Sequence, residues 1–114
     1  MTGFILLLAL ASLATQAGKS VGPEASLRRG QYLRAIQLFN QQIQRAPSDE
    51  SARIGLGRAQ IALGRCEQGR TSLGGLRQSP HWSALSATAE GTCALRAGNA
   101  SLAITAFEEA VLMD

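Results

Sequence analysis

Gly30-Gln31-Tyr32-Leu33-Arg34-Ala35-Ile36-Gln37-Leu38-Phe39 sets a spacing that the rest of the chain repeats. Gly30, Ala35 and Phe39 stand five and four residues apart, and Gly64, Gly69 and Leu73 reproduce that spacing 34 residues later. Gly98, Ala103 and Phe107 reproduce it after a further 34, and Gly57 and Gly91 keep the same interval in a second register. Small residues and one large apolar residue recurring every 34 positions predict an all-α array of antiparallel helix-turn-helix repeats. Each unit of such an array buries its apolar face only against its neighbours.

The elements follow from apolar periodicity and breakers. Pro23 opens a short helix from Glu24 to Arg29, so the first repeat lacks most of its leading helix. Tyr32, Ala35/Ile36, Phe39 and Ile43 recur at helical spacing until Pro47. Ser48 or Asp49 caps a helix from Asp49 to Leu63, with one stripe of Ala52, Leu56, Ala59 and Leu63 and a second of Ile54 and Ile61 around Arg58. The helix from Cys66 to Arg77 is the weakest, because Gly69, Gly74 and Gly75 each cost up to about 1 kcal/mol relative to Ala. Its apolar face rests on Leu73 and Leu76, and Pro80 is the expected stop. Ser83 caps a fifth helix whose Ala84, Ala87, Gly91 and Ala94 form a close-packing face. Gly98-Asn99 then turns the chain into a last helix in which Ala103, Phe107 and Ala110 face the array. Leu102, Ile104, Val111 and Leu112 are left over with no polar helix after them, so this surface is expected to meet another chain or a second copy.

This pattern resembles the tetratricopeptide repeat, which has a small residue mid-way along the first helix, a turn, an Ala early in the second helix and a Phe one turn later. The resemblance covers residues 24–114 and implies a solenoid of about two and a half repeats. Gly69 stands where Ala is usual, Leu73 where Phe is usual and Glu90 where Leu is usual. The family binds proteins or peptides without catalysis, and the first helix of each pair lines its concave side. Carried onto this chain, the groove is Leu27 and Arg28, then Ile54, Arg58 and Ile61, then Leu85, Thr88, Thr92, Leu95 and Arg96. Apolar residues flanked by Arg suit a peptide with acidic groups. Some relatives clamp the carboxylates of heat-shock chaperones with Lys and Asn. Here the array has no lysine and Glu24 replaces one groove Asn, so that specificity is not expected.

Cys66 opens one helix and Cys93 lies near the end of the next, and antiparallel packing makes those ends neighbours. A bridge across the 26 intervening residues would stabilise a short array, whereas two buried thiols would merely pack as small apolar groups. A disulfide also fits an exported protein. The run Phe4 to Ala14 is too short for a bilayer span and has the length of a secretory signal, with Thr15 and Ala17 placing small residues before a cut at Ala17. The expected organisation is a signal at residues 1–17, a linker at 18–23 and the repeat domain at 24–114, in a periplasmic or secreted protein. The absence of Lys or Arg before the run leaves the alternative of a membrane anchor at residues 4–14 facing the periplasm.

Chemistry is sparse. His81 is the sole histidine, Glu108-Glu109 diverge on a helix, no Cys/His set has metal-ligand spacing, and the glycines form no phosphate loop. No catalytic residue, metal or cofactor is therefore expected. The net charge is +3, and the arginines are scattered without aromatic interleaving, so nucleic acid is not an expected partner. Together with the apolar leader, the resemblance to small exported proteins of this family implies a protein-binding scaffold or assembly factor of the cell envelope. Its alternative is an anchored subunit of a secretion, pilus or envelope complex that folds fully only with a partner.

Overall fold

A computed structural model describes residues 21–114, so the expected signal at 1–17 and anchor at 4–14 lie outside the described residues. The described residues contain six helices and no strand: α1 Pro23–Arg28, α2 Tyr32–Arg45, α3 Glu50–Ala62, α4 Cys66–Leu73, α5 Ala84–Arg96 and α6 Ala100–Met113. They pack in sequence as the antiparallel pairs α1–α2, α3–α4 and α5–α6. None is long and apolar enough to cross a membrane.

The 34-residue period has a backbone cause. Gly30, Gly64 and Gly98 occupy the left-handed region at φ +77°, +95° and +78°, and each ends the first helix of its pair. Asp49 and Asn99 cap α3 and α6 by accepting the N–H groups of Ala52 and Leu102 at 3.0 and 3.1 Å. The large apolar residue of each repeat also fills a glycine site. Phe39 lies where a Cβ on Gly55 would stand, Leu73 where one on Gly57 would stand, and Phe107 where one on Gly91 would stand.

Two cores result. One gathers Leu27, Ala35, Phe39, Ala52, Leu56 and Ala59 between the first pair and α3. The other gathers Ile54, Ile61, Leu73, Leu76, Trp82 and Cys93 at the junction of the second and third pairs. The sulfurs of Cys66 and Cys93 meet as a disulfide there, with their Cα atoms 5.6 Å apart.

The structure departs from the sequence expectation in α4, which ends at Leu73 rather than Arg77. Gly74 leaves the helical region at ψ 128° and Gly75 turns left-handed at φ +79°, so the helix stops well before Pro80. The released segment folds back and buries Leu76 and Trp82 against the second core. Arg77 is thereby placed to bind Glu90 of α5 at 3.1 Å and Glu109 of α6. Its guanidinium carbon also stands 5.5 Å from the Trp82 ring centroid. Trp82 Nε1 donates to Glu109 Oε1 at 3.0 Å. Glu109 thus fixes the loop to α6, while Arg77 joins the loop to both helices of the third pair.

Hydrogen bonding from Arg77 holds the Glu109 carboxyl below its ordinary range; burial opposes this, and the Trp82 N–H reinforces it. The folded state therefore favours the carboxylate. Its stabilisation is present above the unfolded value of about 4.3 and is lost as pH falls through the lower folded value. Thermal melts between neutral and acid pH should show Glu109→Gln destabilised at neutral pH and less acid-sensitive than wild type. An acid dependence identical in the two proteins would remove Glu109 from this role.

Candidate functional site

The face built from α1, α3 and α5 is concave and encloses a groove of about 350 Å³. Leu27 and Ile61 form its floor and are 8% and 2% exposed. Arg28, Arg58 and Arg96 line it, and no carboxylate does. Leu85, Thr88 and Thr92 supply the α5 wall.

The groove is rich in donors. Arg58 makes one loose ion pair with Glu24 at 3.8 Å, and its side chain is only 16% exposed. Arg96 donates to the Ile61 carbonyl at 3.4 Å, which ties α5 to the end of α3. The hydroxyls of Thr88 and Thr92 donate to the carbonyls of Ala84 and Thr88 at 2.8 and 2.9 Å. Their protons are committed to the helix, so the guanidiniums are the groove's strong outward donors. An apolar floor ringed by Arg suits a ligand with apolar side chains and carboxylates.

Of the ten residues assigned to the groove from sequence, the structure brings together Leu27, Arg28, Arg58, Ile61, Leu85, Thr88, Thr92 and Arg96. Ile54 is not among them. It is 3% exposed and packs with Leu73, Leu76 and Trp82 in the second core, because the short α4 brings the loop back over this side of α3. Leu95 is exposed but stands outside the groove lining. Tyr32, Ala62 and Ala89 line the groove and were not assigned. Tyr32 opens a second helix rather than a first one, so a rule that assigns the wall to first helices passes over it. His81 sits exposed in the loop, its backbone N–H held by Ser79 Oγ at 3.1 Å.

The described residues contain no group of three His, Cys, Asp or Glu arranged to hold a metal. The sequence profile of the tetratricopeptide repeat matches residues 26–90, from α1 into α5, more than half of the 114 residues. No curated protein and no solved structure gives a significant match. The 34-residue period carries the same pattern on through α6.

Proposed function

This chain belongs to the tetratricopeptide repeat family, whose repeats generally mediate protein–protein interaction, and from that premise we propose a non-catalytic module whose groove holds an acidic, partly apolar peptide of a partner protein. The observation that carries this reading is the convergence of Arg28, Arg58 and Arg96 over the apolar floor of Leu27 and Ile61, with no carboxylate in the lining. A ligand carboxylate at Arg58 would replace the loose contact from Glu24. The resulting charge-assisted bonds set orientation and partner choice, and the apolar floor supplies most of the buried area.

The compartment belongs to the same proposal. The apolar run Phe4–Ala14 and the Cys66–Cys93 pairing together support an exported scaffold or assembly factor of the cell envelope. The lack of a basic residue ahead of that run supports the second reading, an uncleaved anchor. Membrane fractionation with N-terminal sequencing separates the two: a soluble chain beginning at Gly18 supports export with cleavage, and a membrane-bound chain beginning at Met1 supports the anchor.

Binding is tested by calorimetric titration with amphipathic peptides that differ only in Asp/Glu against Asn/Gln. The acidic set should bind at least tenfold more tightly, with affinity falling as salt rises. Arg58→Glu should remove that preference while leaving helicity unchanged. Equal affinity of the two sets, or of wild type and Arg58→Glu, would count against the groove.

A further inference from the structure

The disulfide and the groove share parts. Ile61, the groove floor, belongs with Cys93 to the second core, and Ala89, in the groove lining, packs against that core as Cys66 does. On α5, Cys93 directly follows Thr92 and stands three residues before Arg96, so the bond and the groove's third arginine lie on one side of the helix. Cys66 opens α4 just beyond the turn that ends α3. The Ile61 carbonyl is where the two ends meet. It accepts the N–H of Gly64 in that turn at 2.9 Å and Nη1 of Arg96 at 3.4 Å. The covalent bond and the Arg96 hydrogen bond therefore fasten the same end of α5 to the same turn. Much of the groove depends on that fastening, because Leu85, Thr88, Ala89, Thr92 and Arg96 all come from α5.

We infer that, given the peptide groove proposed above, the Cys66–Cys93 bond is a redox control on ligand binding, closed and binding when oxidised, open and weakly binding when a dithiol reduces it. With the bond intact, α5 stands as the groove wall and carries Arg96 to it. With the bond broken, α5 is free to part from α3, and the ligand loses that wall and one of three guanidiniums. Arg28 and Arg58 stay in place on α1 and α3, whose own core of Leu27, Ala35, Phe39, Ala52, Leu56 and Ala59 holds no cysteine. The exchange has an accessible side, since Cys66 is half-buried and Cys93 is 3% exposed. A thiolate of the dithiol attacks Sγ of Cys66, the bond to Cys93 breaks, and Cys93 leaves as a thiolate that takes a proton. The second thiol of the dithiol then attacks its own sulfur in the mixed disulfide and releases Cys66, which is protonated in turn. Two electrons have passed to the bridge, and the dithiol ends as a disulfide. The coupling runs both ways: the factor by which reduction weakens the ligand is the factor by which the ligand makes the bond harder to reduce.

The probe is a fluorescent amphipathic peptide rich in Asp and Glu, added to the full chain and followed by anisotropy with and without dithiothreitol. Reduction should weaken binding at least tenfold. The double variant Cys66→Ser/Cys93→Ser should bind as weakly as the reduced protein and ignore the reductant. The reciprocal arm titrates the bond itself, with free thiols counted by alkylation and mass. Saturating acidic peptide should raise at least tenfold the ratio of reduced to oxidised dithiothreitol needed to open half the bonds, and the matched Asn/Gln peptide should not. Hydrogen exchange on the reduced protein separates a released wall from general unfolding: α2 and α3 should keep their protection while α5 and α6 lose it. Protection lost in every helix alike overturns the proposal, because the bond would then hold the whole fold rather than the groove. An acidic preference that survives reduction at equal affinity overturns this proposal alone, whereas the absence of any acidic preference in the oxidised protein overturns the groove reading with it.

Discussion

Replacing Cys66 and Cys93 together by serine should lower stability by about 3–4 kcal/mol, the loop-closure entropy that a bridge of this span removes from the unfolded chain. For a domain of this size that corresponds to a fall in Tm of roughly 15–25 °C. The site explains why so much rests on one bond. The third pair meets the rest of the array chiefly through α5 on α3 and through the Leu76–Trp82 wedge, while α4 and α5 touch little apart from the disulfide. The bond therefore ties the weakest helix to the pair that follows it. Losing it should release α5 and α6 first, so hydrogen exchange should show protection falling there more than in α2 and α3. Reductant should bring wild type to the melting temperature of the double variant and leave the variant unmoved. Two free thiols in denatured, unreduced protein, or equal Tm values for wild type and variant, would sink this account.

What the sequence made legible, and what it did not, divides along a physical line. The six helices, the 34-residue period and the turn glycines were readable because each depends on local pattern: apolar spacing, a capping Asp49 or Asn99, a glycine in the left-handed region. The groove arginines were readable because Arg28, Arg58 and Arg96 each lie on the first helix of a pair, the side that the family resemblance assigns to the groove. The early end of α4 was hidden, although both glycines were in view. Helix propensity counts Gly74 and Gly75 as costs and does not say that Leu76 and Trp82 gain enough burial to end the helix there. The same event removed Ile54 from the groove, since its cover comes from that loop. The Arg77, Glu90 and Glu109 cluster was hidden for another reason. Its members lie on three segments and each resembles an ordinary solvated charge, so only the folded-back loop brings them together.

Gly69→Ala should destabilise the protein by about 1–2 kcal/mol, opposite in sign to the gain of about 1 kcal/mol that helix propensity alone assigns. The position lies inside α4, where an alanine is otherwise the better residue. Packing reverses the outcome. A Cβ on Gly69 would stand 2.8 Å from the Gly57 carbonyl oxygen and would overlap the Ile61 side chain. A Cβ on Gly57 would stand 3.0 Å from the Gly69 carbonyl oxygen and 2.6 Å from Leu73 Cγ. The two glycines are thus the crossing point of α3 and α4, and the obstacle at each is the other's backbone. A side chain could rotate away, but a carbonyl moves only if the helices separate. Such separation opens the second core around Ile61 and Leu73, a cost in the range of about 1–3 kcal/mol for overpacked sites. Since one separation relieves both clashes, Gly57→Ala and Gly69→Ala combined should cost less than the sum of the two. Gly22 serves as the comparison, because a Cβ there meets nothing within 4 Å, and Gly22→Ser should be near neutral. Chemical denaturation of the four variants decides the matter. A Gly69→Ala protein at least as stable as wild type would show that α3 and α4 can part at no cost, and that the glycine serves no close approach.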